Sequence, residues 1–209
     1  MKLIFIGTAE LGVPTLQALA EKHDVVAVIT QPDRPAGRGL KLQPPPIKTE
    51  ALKLGLAVIQ PEKIAREIET IKKLSPDLLF VTAYGQILPS ELLKIPRLGA
   101  VNLHASLLPK YRGAAPIPWA IMNGEKLTGL TTFLMEEGID TGPILLQREV
   151  PIAEEDTAGT LSEKLAEVAP ELVRQTLEGL ERGTLKPRPQ DGRVASYAPK
   201  IKDELGQLD

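Results

Sequence analysis

The sequence predicts an α/β fold: a Rossmann-like, doubly wound, mostly parallel sheet with helices on both faces and a late antiparallel strand pair. Three observations predict it. Short, almost wholly apolar runs alternate with helical patterns through the first half, as strands buried on both faces of a parallel sheet do. Apolar residues make up 43% of the 209, enough for one large core and too many for a disordered chain. After residue 116, two strand-like runs follow one another with no room for a helix between them, the mark of antiparallel neighbours.

The elements follow in order. "KLIFIG" is a continuous apolar run closed by Gly7, a first buried strand. "VPTLQALAEK" has helical spacing, and Pro14 falls in its first turn, where a missing N–H is harmless. "DVVAVIT" is a second strand, and "AVIQ" at 57–60 a third after a helix over about 47–54. "IAREIETIKKL" (64–74) is an amphipathic helix, "DLLFVTAYG" a fourth strand and "GAVNLH" a fifth. "LTGLTTFLM" and "GPILLQREVPI" form the antiparallel pair. "LSEKLAEVAPELVRQTLEGL" closes the domain as a helix that Pro170 is expected to kink. The catalytic domain is thus expected to span 1–181, with 182–209 a Pro-rich, polar arm or linker.

Several chemistries are excluded. Without cysteine there are no disulfides, thiolate nucleophiles or cysteine-held metals, and two histidines do not make a His-rich metal site. No apolar run is long enough to span a bilayer, and the N-terminal run passes into a helical pattern as an internal strand does, not as a signal peptide. A net charge of −2 gives no global attraction to nucleic acid, so any such binding rests on local patches. One such patch is the loop 31–48, where Arg34, Arg38, Lys41 and Lys48 face a single Asp33; it is too long for an ordinary connection. "GTAELG" does not fit the dinucleotide fingerprint and no P-loop occurs, which disfavours a dehydrogenase or an NTPase.

In an open parallel sheet, ligands bind beyond the carboxyl ends of the strands, near the point where strand order reverses. Asn102 and His104, two residues apart at the end of the fifth strand, face the same side there. Asp140 lies in the turn "EEGIDTG", where an Asp is ordinarily a turn former; it gains chemical meaning if the loop folds back to His104. The three would supply an amide donor, an acid–base group and a carboxylate to hold the imidazole. Ser106 raises a Ser–His hydrolase, but no nucleophile-elbow motif accompanies it. Direct attack of a substrate amine on a carbonyl fits better, with Asn102 and His104 stabilising the oxyanion and Asp140 assisting proton removal.

"NLHASLLPKYRGAAP" with "IDTG" resembles the folate-dependent formyltransferases, a family that includes glycinamide ribonucleotide, sugar-amine and tRNA formyltransferases. "FIGTAELGVPTL", "TQPDRPAGRGLKL" and "VTAYGQILP" resemble the tRNA-specific branch, and the similarity runs from Met1 to about Pro199. The resemblance implies Asn102, His104 and Asp140 as the catalytic set. It implies a folate pocket of Ser106, Leu107, Leu108 and Pro109, with the pterin reading backbone around Gln86, Ile87 and Leu88 and around Gly138. The donor would be 10-formyltetrahydrofolate, the acceptor the α-amino group of methionine on initiator tRNA, and Arg38 and Lys41 would reach the acceptor stem. No metal is implied, nor any membrane; a cytoplasmic monomer is expected. The tRNA-specific branch usually continues into a C-terminal OB-like barrel. This chain stops at "KDELGQLD", where that domain would begin, so weak tRNA affinity is expected of it. Two alternatives remain: transfer to a small amine such as an amino sugar nucleotide, and a non-catalytic folate- or nucleotide-binding domain. The basic loop argues against the first, and the joint presence of Asn102, His104 and Asp140 against the second.

Overall fold

The computed structural model describes residues 1–36 and 41–201. Its main sheet joins β1 (Lys2–Gly7), β2 (Asp24–Ile29), β5 (Val58–Ile59), β6 (Leu78–Thr82), β7 (Ala100–His104), β8 (Leu127–Leu134) and β9 (Ile144–Pro151). The order is β5-β2-β1-β6-β7-β8-β9; neighbours run parallel as far as β7, and β8 and β9 are antiparallel additions. The order of connection therefore reverses between β1 and β6, while the direction of pairing reverses between β7 and β8. Asn102 and His104 sit at the second reversal, one strand away from the first.

Alternation along each strand sorts the core into two layers. Leu3, Phe5, Val28, Phe80, Val101 and Leu103 point to one face, where they meet α1 (Val13–Lys22), α2 (Pro46–Lys53), α5 (Pro116–Met122) and α6 (Ala158–Glu181). Ile4, Ile6, Ile29, Leu79, Val81 and Ala100 point to the other, covered by α3 (Ile68–Leu74) and α4 (Ser90–Leu93). Phe5 and Phe80 stack with ring centroids 5.6 Å apart in the first layer. By the same alternation, Asn102 and His104 share the face of Ala100.

The helices depart from expectation in three places. The run 64–74 begins as a 3-10 turn over Ile64–Glu67 before α3 takes over. The helix α6 continues unbroken through Pro170, started by a capping box in which Thr157 and Thr160 exchange side-chain and backbone bonds. The short α4 and α5 lie in stretches that carry no clear helical period. Within the basic loop, β3 (Arg34–Ala36) and β4 (Lys41–Gln43) pair as an antiparallel hairpin.

Candidate active site

The end of β7 is where the chemistry-bearing residues collect. His104 is buried, 7% exposed, and its Nε2 lies 2.8 Å from the Tyr111 carbonyl. A carbonyl only accepts, so Nε2 carries a proton. The other nitrogen, Nδ1, faces the Asp140 carboxylate at 3.5 Å. That carboxylate accepts the Gly113 N–H at 2.7 Å, which fixes its direction. Asp140 and Tyr111, the residues that supply both partners of His104, each adopt a left-handed backbone with φ of 53° and 60°. Residues other than Gly hold that conformation only where their surroundings impose it.

Asn102 is half-buried, and the only polar partner of its amide nitrogen among the described residues is the Met135 sulfur at 4.0 Å, a weak acceptor. Met135 packs against two apolar groups at once: the layer containing Leu88, and the small cluster of Leu108, Phe133 and Ile144. Asn102 is thus linked through Met135 to both apolar groups. That turn is tightly held from β8 and β9. Thr131 Oγ1 donates to the Ser106 carbonyl at 2.6 Å and accepts from Leu108 N and Gln147 Nε2, both at 3.1 Å, filling its hydrogen-bonding capacity. Gln147 Nε2 also donates to the Leu108 carbonyl at 2.9 Å. Leu107 lies over Gly129, where an added Cβ would collide with its side chain and with the Arg148 carbonyl. The Ser106 hydroxyl donates to the Lys110 carbonyl at 2.6 Å and is closing a turn, not facing His104.

The second wall is braced in the same way. Gln86 commits its side chain to the preceding segment, accepting from Ile64 N and donating to the Glu62 carbonyl. Ile87 is 83% exposed and Leu88 buried. The Tyr84 carbonyl accepts from Thr8 Oγ1 at 3.0 Å and from Gln31 Nε2 at 3.1 Å, tying together the ends of β1, β2 and β6. Burial, reinforced by Glu67, pushes the Tyr84 phenol up to about 12. Gly138, at φ 126°, has no room for a Cβ against Thr141.

The basic hairpin springs from this edge. Asp33 accepts both bonds of the Lys48 ammonium at 2.8 and 2.7 Å and one from Gln60 at 2.7 Å. The Gln60 bond, then the Lys48 ammonium, hold the Asp33 carboxyl below the ordinary aspartate range. Lys41 is exposed on β4; Arg38 lies outside the described residues. Among the described residues, no group of three or more His, Asp or Glu side chains is arranged to hold a metal ion, and no helix is long and apolar enough to cross a membrane.

A family model described as formyl transferase matches residues 1–177. The chain belongs to the formyl transferase family. Among curated relatives, it is 52% identical to the methionyl-tRNA formyltransferase of Thermodesulfovibrio yellowstonii over 99% of its length and 68% of the relative's. It is 54% identical to that of Pelotomaculum thermopropionicum over 98% of its length and 66% of the relative's. The chain spans about two thirds of the length of these relatives. Among solved structures, this formyl transferase is similar to an N-formyltransferase of Helicobacter canadensis in complex with folinic acid and dTDP-3-aminofucose. Identity there is 25% and the TM-score 0.75, over 96% of this chain and 71% of that one. It shares the fold of glycinamide ribonucleotide transformylase 1 from Symbiobacterium toebii, with a TM-score of 0.75 at 20% identity over 91% of this chain and 94% of that one.

Sequence reasoning missed the residues that hold this formyl transferase's loops: Tyr111, Thr131, Gln147, Met135, Arg112 and Gln190. Their side chains act across long sequence separations, and nothing local marks them. The one available signal was "TT" at 131–132 inside an apolar strand, two hydroxyls that need partners if the strand is buried.

Proposed function

We propose that this chain transfers a formyl group from 10-formyltetrahydrofolate to the α-amino group of methionine on initiator tRNA, as a cytoplasmic monomer, with the reacting side chains all within residues 1–181. The observation that carries this reading is the approach of Asp140 to within 3.5 Å of His104, on the strand that also presents the nearly unpartnered amide of Asn102. The acceptor amine attacks the formyl carbon, and a C–N bond forms as the carbonyl oxygen takes up the charge. Collapse of that intermediate breaks the bond to folate N10, and the proton lost by the amine ends on N10. Asn102 is the donor free to meet the oxyanion. Nε2 of His104 is engaged at rest by the Tyr111 carbonyl, so His104 joins in by exchanging that partner for substrate, and Asp140, 3.5 Å from Nδ1, takes the proton from the amine.

The folate is read as lying between Gln86–Leu88 and Ser106–Pro109, with Gly138 beside it; the Leu108 cluster and Met135 supply apolar surface, and the backbone of 86–88 supplies polar groups. Two observations favour a tRNA acceptor over a small amine. Relatives sharing half the residues over nearly the whole chain are named for methionyl-tRNA. Lys41 stands exposed on a hairpin that follows Gln31, whose side chain bonds the Tyr84 carbonyl at the edge of the site, and Arg38 precedes Lys41 by three residues in the sequence.

The test is a formyl-transfer assay with 10-formyltetrahydrofolate, offering charged initiator tRNA and an amino sugar nucleotide separately at low salt. Formylation of the tRNA alone is expected. Formylation of the sugar without the tRNA would replace this acceptor with the small amine, and transfer to neither would remove the enzymatic reading.

A further inference from the structure

After α6, the chain runs back over the two loops that carry the partners of His104. Arg188 and Ile144 exchange backbone hydrogen bonds, both 2.8 Å. Next to them the Gln190 amide donates to the Asp140 carbonyl at 2.8 Å and to the Gly142 carbonyl at 2.7 Å. Its oxygen accepts from the Arg112 guanidinium at 3.0 and 2.7 Å. Arg112 is 6% exposed and, among the described residues, has no carboxylate within salt-bridge distance. A buried guanidinium answered by a neutral amide is costly to keep.

The backbone finishes the clamp. Arg112 N donates to the Ser196 carbonyl at 2.8 Å, Ala198 N to the Arg112 carbonyl at 2.7 Å, and Tyr111 N to the Ser196 hydroxyl at 2.9 Å. Gly113, which points its N–H at Asp140, is covered so closely that a Cβ would meet the Ala198 carbonyl at 2.8 Å. Residues 188–198 therefore grip both left-handed residues, Tyr111 and Asp140, that flank the imidazole.

We propose that Gln190 is a positioning residue: by bridging Arg112 to the backbone of Asp140 and Gly142, it sets where the Asp140 carboxylate stands relative to His104. This rests on the reading of Asp140 and His104 as reacting groups. Replacing Gln190 removes no group that would touch substrate but releases the loop that carries Asp140.

Gln190→Ala is expected to lower kcat by about 10- to 100-fold, the usual result of a misplacement near 1 Å, with KM for the folate within a few-fold of the parent. Gln190→Glu keeps the acceptor for Arg112 but loses both donors to the loop. It should melt above Gln190→Ala yet turn over no faster, and recovery of turnover with the melt would overturn the proposal. In an Asp140→Ala background, adding Gln190→Ala should cost no further turnover; a second, multiplicative loss would make Gln190 merely structural. A readout independent of activity is the ring NMR spectrum, because the chain has only two histidines. The His104 resonances should move in Gln190→Ala and those of His23 should not, and an unmoved His104 overturns the clamp. If Asp140→Ala alone turned over like the parent, the reading of Asp140 as a reacting group would fail, while the ring spectrum would still decide the clamp.

Discussion

Because the Tyr111 carbonyl accepts from Nε2 of His104, the amide of Asn102 is the side-chain donor of this set not already engaged with oxygen. This ranks the expected effects of substitution. Asn102→Ala should reduce kcat by about 10²–10³, the usual result of removing an oxyanion donor. Asn102→Asp should be slower still, since a carboxylate there repels the developing charge; an aspartate variant faster than the alanine one would remove Asn102 from that role. His104→Ala should lower turnover by about two orders of magnitude while folate titrations stay unchanged. Parallel losses in turnover and folate affinity would instead make His104 part of the pocket wall. The pleat made Asn102 and His104 legible in the sequence, since alternation is a property of the strand itself. Of the partners of His104, Asp140 was named in the sequence on condition that its loop folds back, and the Tyr111 carbonyl was not, because it depends on a left-handed backbone that no residue-type rule predicts for Tyr.

At the scale of elements, β1 and β6 were readable because each is buried along almost its whole length and carries no polar residue in its interior. The helix α5 holds Pro116 and Pro118 in its first turn, which breaks the pattern a helix is recognised by, and α4 is a single turn. The hairpin β3–β4 depends on Lys48 and Gln60 converging on Asp33 from outside it. Pro170, expected to kink α6, interrupts nothing, as this helix is fixed along its length by Leu161, Leu165, Leu172 and Leu177 in the core. Its start is fixed by Thr157 and by Asp156, which accepts from Lys164, Ala153 N and Thr160. Thr157→Ala should cost about 1 kcal/mol, lowering Tm by about 2–4 °C in a thermal melt. The Lys164 ammonium, then the Ala153 amide, hold the Asp156 carboxyl below its ordinary value of 3.8. With the folded value depressed, the stabilisation is present above that value and lost as pH falls through the range beneath it. The Tm difference between the parent and Asp156→Asn should therefore shrink steadily below about pH 4; a constant difference would mean the carboxylate charge is not what matters.

For the whole molecule, the decisive feature is an uneven charge distribution. The chain is acidic overall, at −2, yet Lys41 stands in solvent on a hairpin that follows Gln31, whose side chain bonds the Tyr84 carbonyl. Phosphate contact by such a residue is read in the salt dependence. Lys41→Ala should reduce the slope of log affinity against log salt for tRNA by about one and leave folate affinity alone. An unchanged slope would move the tRNA path off this hairpin. Composition made the loop visible as basic, and only the folded chain relates it to the site, through Gln31 and the Tyr84 carbonyl.

The return of residues 188–198 over the site bears on how this enzyme is trimmed for study. A cut after Glu181 would retain every strand and every α-helix among the described residues, and the shortened protein would give an ordinary circular dichroism spectrum. It would nonetheless lack Gln190, Ser196 and Ala198, leaving a guanidinium without its amide and two left-handed loop residues without the cover that holds them. The boundary drawn by secondary structure and the boundary drawn by chemistry fall at different residues, and a shortened protein judged only by its folding would be mistaken for an inactive family member.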